Sequence, residues 1–326
     1  MRPVAFRSAL APSFRDFVAL RKAGGARYDA QAWLLGKFDR FLAARRKRRV
    51  DASTLSEFVA SVDYLATRTR ENLFGVVWPA LEHARRHGRP VAPLPHRPWL
   101  RHAPSRRPYV LTEEEIDRLL ATPMQLSWRH ERDALCPHTW STFFALLLAT
   151  GIRLGEGVAL DVGDFDRENN LLVVREGKFR KMRLVPLAPS TAEGLDAYLR
   201  RRARLHKSRR LHGPLFVSLL GPNRFGVQGA QYAFRKIVRV ADLKDAAGRR
   251  PRIHDLRHTF AVRRVITWHR ERRDVSQLLG LLSTYMGHVN ILSTQVYLQP
   301  TLELLATAAQ RFEAASASVW DGTGVS

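Results

Sequence analysis

Cysteine is almost absent. Cys136 stands alone in 326 residues, which excludes an intramolecular disulfide and any zinc site built on several thiolates. Its place beside an apolar helical stretch assigns it to packing. Long hydrophobic runs are missing too: the densest, Phe143 to Ala149, falls well short of the roughly 20 residues a membrane helix needs. At the N-terminus Arg2, Arg7 and Arg15 interrupt any apolar segment of a secretory signal, so the expected location is cytoplasmic. No glycine loop that would cradle a nucleotide phosphate occurs, and no GxSxG elbow. His254 and His258 have the i, i+4 spacing of a zinc pair, as do His83 and His87, but neither pair encloses the Glu of an HExxH helix or has an evident third ligand. No metal constellation is evident.

Acid is also scarce. Against 54 Lys and Arg stand 30 Asp and Glu, a net charge of +24. Such an excess calls for a polyanionic partner, because each phosphate neutralised releases counterions. Nucleic acid is the first candidate. A membrane surface is a poor second, since the basic residues recur along the whole chain and form no single amphipathic helix.

What is present divides the chain in three. Residues 1–89 read as a helical bundle. Pro12 to Ala23 forms a helix stopped by Gly24 and Gly25, and Asp29 caps a second with Trp33, Leu34, Phe38, Phe41 and Leu42 on one stripe. A third runs over Leu55 to Leu65, and a fourth from about Arg68 to His87 with a bend at Pro79. The basic run Arg45, Arg46, Lys47 and Arg48 ends the second helix, where it is either a solvated terminus or a DNA contact. Residues 90–110 hold six prolines, at 90, 93, 95, 98, 104 and 108, and read as an extended linker whose Arg106 and Arg107 could follow a nucleic-acid backbone. Residues 111–326 form the second domain. It opens on a Thr112/Glu115 capping box and continues with an apolar helix over His138 to Ala149 that Gly151 ends. A β-hairpin follows from Leu171 to Leu187 with the charged turn EGKFRK, which holds Lys178, Arg180 and Lys181. Leu215 to Val217 reads as a short strand, and the remainder as helix to about Ala315, with a small polar tail. The fold class is mainly α with a small β-hairpin or sheet.

Chemistry concentrates in Arg252 to Gln299. His254 and Arg257 stand three apart, so a helix presents both heads from one face. His288 follows Gly287, and Tyr297 lies nine residues further on. Far upstream, Arg153 follows a buried helix and Gly151, a corner suited either to bidentate phosphate binding or to a structural pair with Glu156 or Asp164.

Four ordered motifs give this set a family resemblance: ATGIRLGEGVAL around Arg153, EGKFRKMRLVPL around Lys178, HDLRHTFA from His254, and MGHVNILSTQVYL from Met286 to Leu298. Together they resemble the tyrosine recombinase, or phage integrase, family over essentially the whole chain. The resemblance implies a helical core-binding domain followed by a catalytic domain, acting on double-stranded DNA recombination sites in integration, excision or transposition of a mobile element. It further implies that Tyr297 attacks a scissile phosphate to leave a 3′-phosphotyrosine, that Arg153 and Arg257 grip its non-bridging oxygens, and that Lys178 protonates the leaving 5′-oxygen. His254 would assist proton transfer at the tyrosine, and His288 would hydrogen-bond the phosphate. A homotetramer on two DNA sites, joined through a C-terminal helix at Thr301 to Ala315, is implied too, with accessory recombinases as candidate partners. Two departures stand out. Phe179 occupies the place of a second glycine after the lysine, which leaves Lys181 as an alternative acid, and 31 positions separate Arg257 from His288.

Overall fold

The computed structural model describes residues 4–25, 28–94, 108–128, 134–175, 182–205, 211–217 and 223–287. The chain divides into two compact units, Met1–Arg107 and Pro108–Ser326.

The first unit has four helices among its described residues: α1 (Ala11–Ala23), α2 (Asp29–Ala44), α3 (Ala52–Ser61) and α4 (Thr67–Arg86). Its core is unusually aromatic. Phe14, Phe38, Phe58 and Phe74 are all but fully buried, and Phe38 meets Phe58 edge-on with ring centroids 4.7 Å apart. Among the described residues of this unit one charge lies inside: Asp39 is fully buried and accepts from the backbone N–H groups of Arg7 at 2.6 Å and Ser8 at 3.0 Å, which satisfies it. Two expectations change here. Tyr28, in a left-handed conformation, precedes α2 where Asp29 was expected to cap it, and the buried stripe is Leu35, Phe38, Phe41 and Leu42. Trp33 points outward, 44% exposed, with Lys37 over its ring at 4.7 Å. α3 takes its cap from Asp51, which accepts from the Thr54 N–H, so it starts three residues earlier than expected and stops at Ser61. Val91 is buried and bridges Val50 in parallel, so this unit's core reaches into the segment expected to be linker.

The second unit is built round one apolar helix. Its elements are α5 (Glu113–Gln125), α6 (Cys136–Thr150), α7 (Leu154–Ala159), β1 (Phe165–Asp166), β2 (Leu171–Val174), β3 (Arg183–Pro186), α8 (Pro189–Leu205), α9 (Val227–Val240), α10 (Ile253–Arg270) and α11 (Val275–Met286). α6 buries Phe143, Phe144, Leu146 and Leu147, and α5, α7, α8 and α10 pack against it. A helix apolar on all sides must be enclosed, and these four enclose it. Cys136 opens it and is buried. The capping box of α5 forms as expected, with Thr112 Oγ1 accepting from Glu115 N–H at 3.2 Å and Glu115 accepting from Thr112 N–H at 3.0 Å. The hairpin gains a third strand: β1, β2 and β3 pair antiparallel in that order, with Val173 opposite Leu184 and Val174 opposite Arg183. Leu215 to Val217 is no strand. Pro214 and Val217 make only isolated bridges, to Asp161 and Arg224. The arginines near the end of α8 are partly structural, because Arg202 is buried and donates to the Leu215 carbonyl at 3.1 Å. Among the described residues no helix is long and apolar enough to cross a membrane.

Candidate active site

Gly151 sets the geometry. It ends α6 at φ 60, the left-handed conformation that favours glycine, and a Cβ there would collide with the Phe260 ring. The reversal delivers Arg153 to the N-cap of α7, beside the first turns of α10, where His254 and Arg257 sit.

Both arginines reach the same helix end. Arg153 donates from Nη2 to the Gly287 carbonyl at 2.6 Å, and Arg257 donates from Nη2 to the Met286 carbonyl at 2.7 Å. These are adjacent carbonyls at the C-terminus of α11, where the helix dipole presents partial negative charge to a cation. Arg257 also donates to the Gly151 carbonyl and is 3% exposed, whereas the Arg153 side chain keeps 29% of its surface open. The 29 positions from Arg257 to Met286 do not separate these two residues. α10 climbs from Arg257 to Arg270, Asp274 caps α11 by accepting from Ser276 and Gln277, and α11 returns antiparallel over a similar length, roughly 20 Å each way at 1.5 Å per residue.

Gly287 closes that return. It adopts φ 67 as the C-cap of α11, and a Cβ on it would stand 3.4 Å from Nη1 of both Arg153 and Arg183.

Arg183 is the residue that the motifs did not point to. From β3 it donates to buried Glu156 through both arms, Nη1 to Oε1 at 3.1 Å and Nη2 to Oε2 at 2.7 Å, and from Nε to the Tyr285 carbonyl at 3.1 Å. Glu156 in turn accepts from Arg153 twice, at Nη1 and at the backbone N–H, each at 2.8 Å. Burial alone would raise the Glu156 pKa, but the hydrogen bonds from Arg183 and Arg153 outweigh it and hold the carboxyl below the usual range. Of the two structural partners open to Arg153 in sequence, Glu156 is the one taken; Asp164 pairs with Arg175. A signal for Arg183 existed, since strand alternation puts it on the same inward face as Val185.

His254 lines a cleft of about 220 Å³ with Arg257, Leu154, Ile253 and Gln231. Burial, and then the Arg257 charge, lower its pKa, which favours the neutral imidazole that can take a proton. The His258 ring lies edge-on to it at 4.8 Å, and burial, followed by His254, pushes His258 down to about 4.

The structure thus brings together Arg153, His254 and Arg257. Lys178, Arg180 and Lys181 in the hairpin turn, Arg106 and Arg107 in the linker, and His288, Tyr297 and the Thr301 to Ala315 segment lie outside the described residues. In the first unit Arg45 stacks over Phe41 and meets Glu57 at 3.7 Å, and Lys47 pairs with the same Glu57 at 2.9 Å. Arg46 and Arg48 are exposed.

Comparison with known proteins gives the family and the fold. The model of the phage integrase family matches residues 109–303. The integrase/recombinase y4rE of Sinorhizobium fredii is 34% identical over 308 residues, 94% of this chain and 97% of that one. Its companion y4rB is 40% identical over 209 residues, 64% of this chain and 66% of the relative. Among solved structures, the Tn1549 transposon integrase in complex with transposon right end DNA superposes with a TM-score of 0.68 at 17% identity, covering 94% of this chain and 99% of that one. A lambda integrase dimer bound to a core site gives 0.60 at 14% identity, covering 88% and 94%. The fold is that of these integrases, and the chain belongs to the phage integrase family, the tyrosine-type site-specific recombinases.

Proposed function

We propose that the chain cuts and rejoins DNA at recombination sites through Tyr297. The observation that carries this reading is the convergence of the Arg153 and Arg257 guanidinium groups on the end of α11, next to His254, one residue before His288 and ten before Tyr297. Tyr297 Oη attacks phosphorus and passes its proton to His254. The bond from phosphorus to the 5′-oxygen breaks, and that oxygen takes a proton from Lys178, or from Lys181 if the turn presents it instead. Arg153 and Arg257 meet the charge on the non-bridging oxygens, with His288 as a further donor. A tyrosine hydroxyl titrates near 10 and needs this cationic setting and a base. A positioned acid contributes about 10²–10⁴ in rate. Because the phosphotyrosine keeps the energy of the broken linkage, a 5′-hydroxyl from a second duplex can reseal it, and neither ATP nor metal is needed.

DNA as partner is supported by the +24 charge and by the Tn1549 transposon integrase, solved in complex with transposon right end DNA. The finer reading is a homotetramer on two sites, joined through Thr301 to Ala315, with accessory recombinases, serving integration, excision or transposition of a mobile element. We place the protein in the cytoplasm, at the nucleoid when DNA-bound. The test is exchange between two duplexes taken from DNA flanking the gene, in EDTA and without ATP. Reciprocal joined products are expected. Relaxation of supercoils without exchange would favour a topoisomerase-like enzyme, and binding without nicking an architectural protein. A 5′-bridging sulfur, which leaves without protonation, restores cleavage to Lys178→Ala if Lys178 is the acid; no restoration moves that role to Lys181 or elsewhere.

A further inference from the structure

We infer that Arg183 is a positioning residue for strand cleavage, holding Glu156 so that its carboxylate aims the Arg153 guanidinium. The inference rests on the reading of Arg153 as a phosphate ligand.

Arg183 joins three elements at one point. Its guanidinium is fixed to Glu156 on α7 through both arms and to the Tyr285 carbonyl on α11, while its backbone pairs with Val174 in the sheet. It is itself shut in, its side chain 16% exposed. Glu156 then faces Arg183 on one side and Arg153 on the other, with its own side chain 3% exposed. Two cations on one buried carboxylate form a chain whose far end, Arg153, is the more open one. Arg183 thus orders the open guanidinium through the carboxylate, with no phosphate contact of its own. The planar two-armed geometry matters, because a lysine supplies a point charge and cannot hold both carboxylate oxygens in the plane of the pair. A second consequence follows from chain order. Arg183 lies five positions after Lys178 in the chain, so the clamp also ties β3, which follows Lys178, to α7 and α11.

The test uses the full chain and a nicked duplex suicide substrate cut from DNA flanking the gene, in EDTA. The single-turnover rate of covalent adduct formation, the Kd for the intact duplex and its salt dependence are measured for Arg183→Met, Arg183→Lys, Glu156→Gln and the Arg183→Met/Glu156→Gln pair. The pair guards against misfolding, since it leaves no uncompensated buried carboxylate. A displacement of Arg153 by about 1 Å is expected to slow Arg183→Met about 100-fold. Arg183→Lys should recover part of that loss, with Kd and salt dependence as in the wild type. In the Glu156→Gln background, Arg183→Met should cost less than about threefold more, because contacting residues in one network are not additive. Full additivity overturns the inference, as does a lowered salt slope, about one phosphate fewer, with an undiminished adduct rate, which would make Arg183 a DNA ligand. Arg153→Ala separates the two levels: if it forms adduct normally, the reading of the site itself fails, whereas if it is inactive and Arg183→Met is normal, only this inference fails.

Discussion

His258 shows how burial decides what a residue can do in this site. Two residues of one type stand a helical turn apart on α10, yet only His254 lines the cleft beside Arg257. His258 is held as a neutral ring at about 4, where its ordinary value is 6.5. The unfolded chain takes up a proton at this position as pH falls below 6.5, while the folded chain does not until about 4. The contribution to stability is therefore complete above 6.5 and is lost progressively between 6.5 and 4. Thermal melting of His258→Gln should show a shallower fall in Tm over that window than the wild type; parallel curves would contradict the assignment. At this scale the sequence was legible where the residue type and its motif coincided. Arg153, His254 and Arg257 were named from local order, and the structure brings those three together. Arg183 was missed because an arginine in RLVPL reads as a solvated strand residue until strand register turns it inward, and Glu156 was seen only as one of two structural partners for Arg153.

Elements, more than single side chains, bring the site residues within reach of each other. The α10–α11 pair returns the chain so that Met286 and Gly287 face the two arginines, and Gly287 is where the return ends. Replacing it with alanine forces a left-handed residue to carry a Cβ, which costs about 1–2 kcal/mol, and crowds the Arg153 and Arg183 guanidinium groups. Gly287→Ala should lower Tm by a few degrees and slow adduct formation at least about tenfold; unchanged values for both would show that the turn relaxes freely. Helix existence was legible from apolar spacing, and stops were legible from glycine, as at Gly24 and Gly151. Phase was harder. Trp33, Leu34 and Leu35 are three apolar residues in a row, so spacing alone could not fix which faces inward, and the larger ring was the wrong choice. The strand expected at Leu215 to Val217 failed for a related reason: a short apolar run shows burial but not a pairing partner. The prolines led to the expectation of a linker over 90–110, yet could not show that Val91 would bridge Val50 or that Leu111 N–H would bond Thr259 at 3.1 Å.

For the whole molecule, charge makes the first demand. An excess of +24 favours a phosphate-led interface, and a protein meeting six to ten phosphates loses about 10³–10⁵ in affinity between 50 and 200 mM salt. Duplex binding measured across that range should show such a slope; near-constant affinity would contradict a backbone-led contact. Charge alone, however, serves any DNA-binding protein, and what distinguishes a recombinase is a covalent bond to one tyrosine. The most direct measurement is therefore adduct formation on a nicked duplex from the DNA flanking the gene, in EDTA, followed by digestion and identification of the DNA-bearing peptide. The account predicts adduct on the peptide containing Tyr297 for the wild type and none for Tyr297→Phe. Adduct that persists in Tyr297→Phe, or maps to another tyrosine, would contradict it.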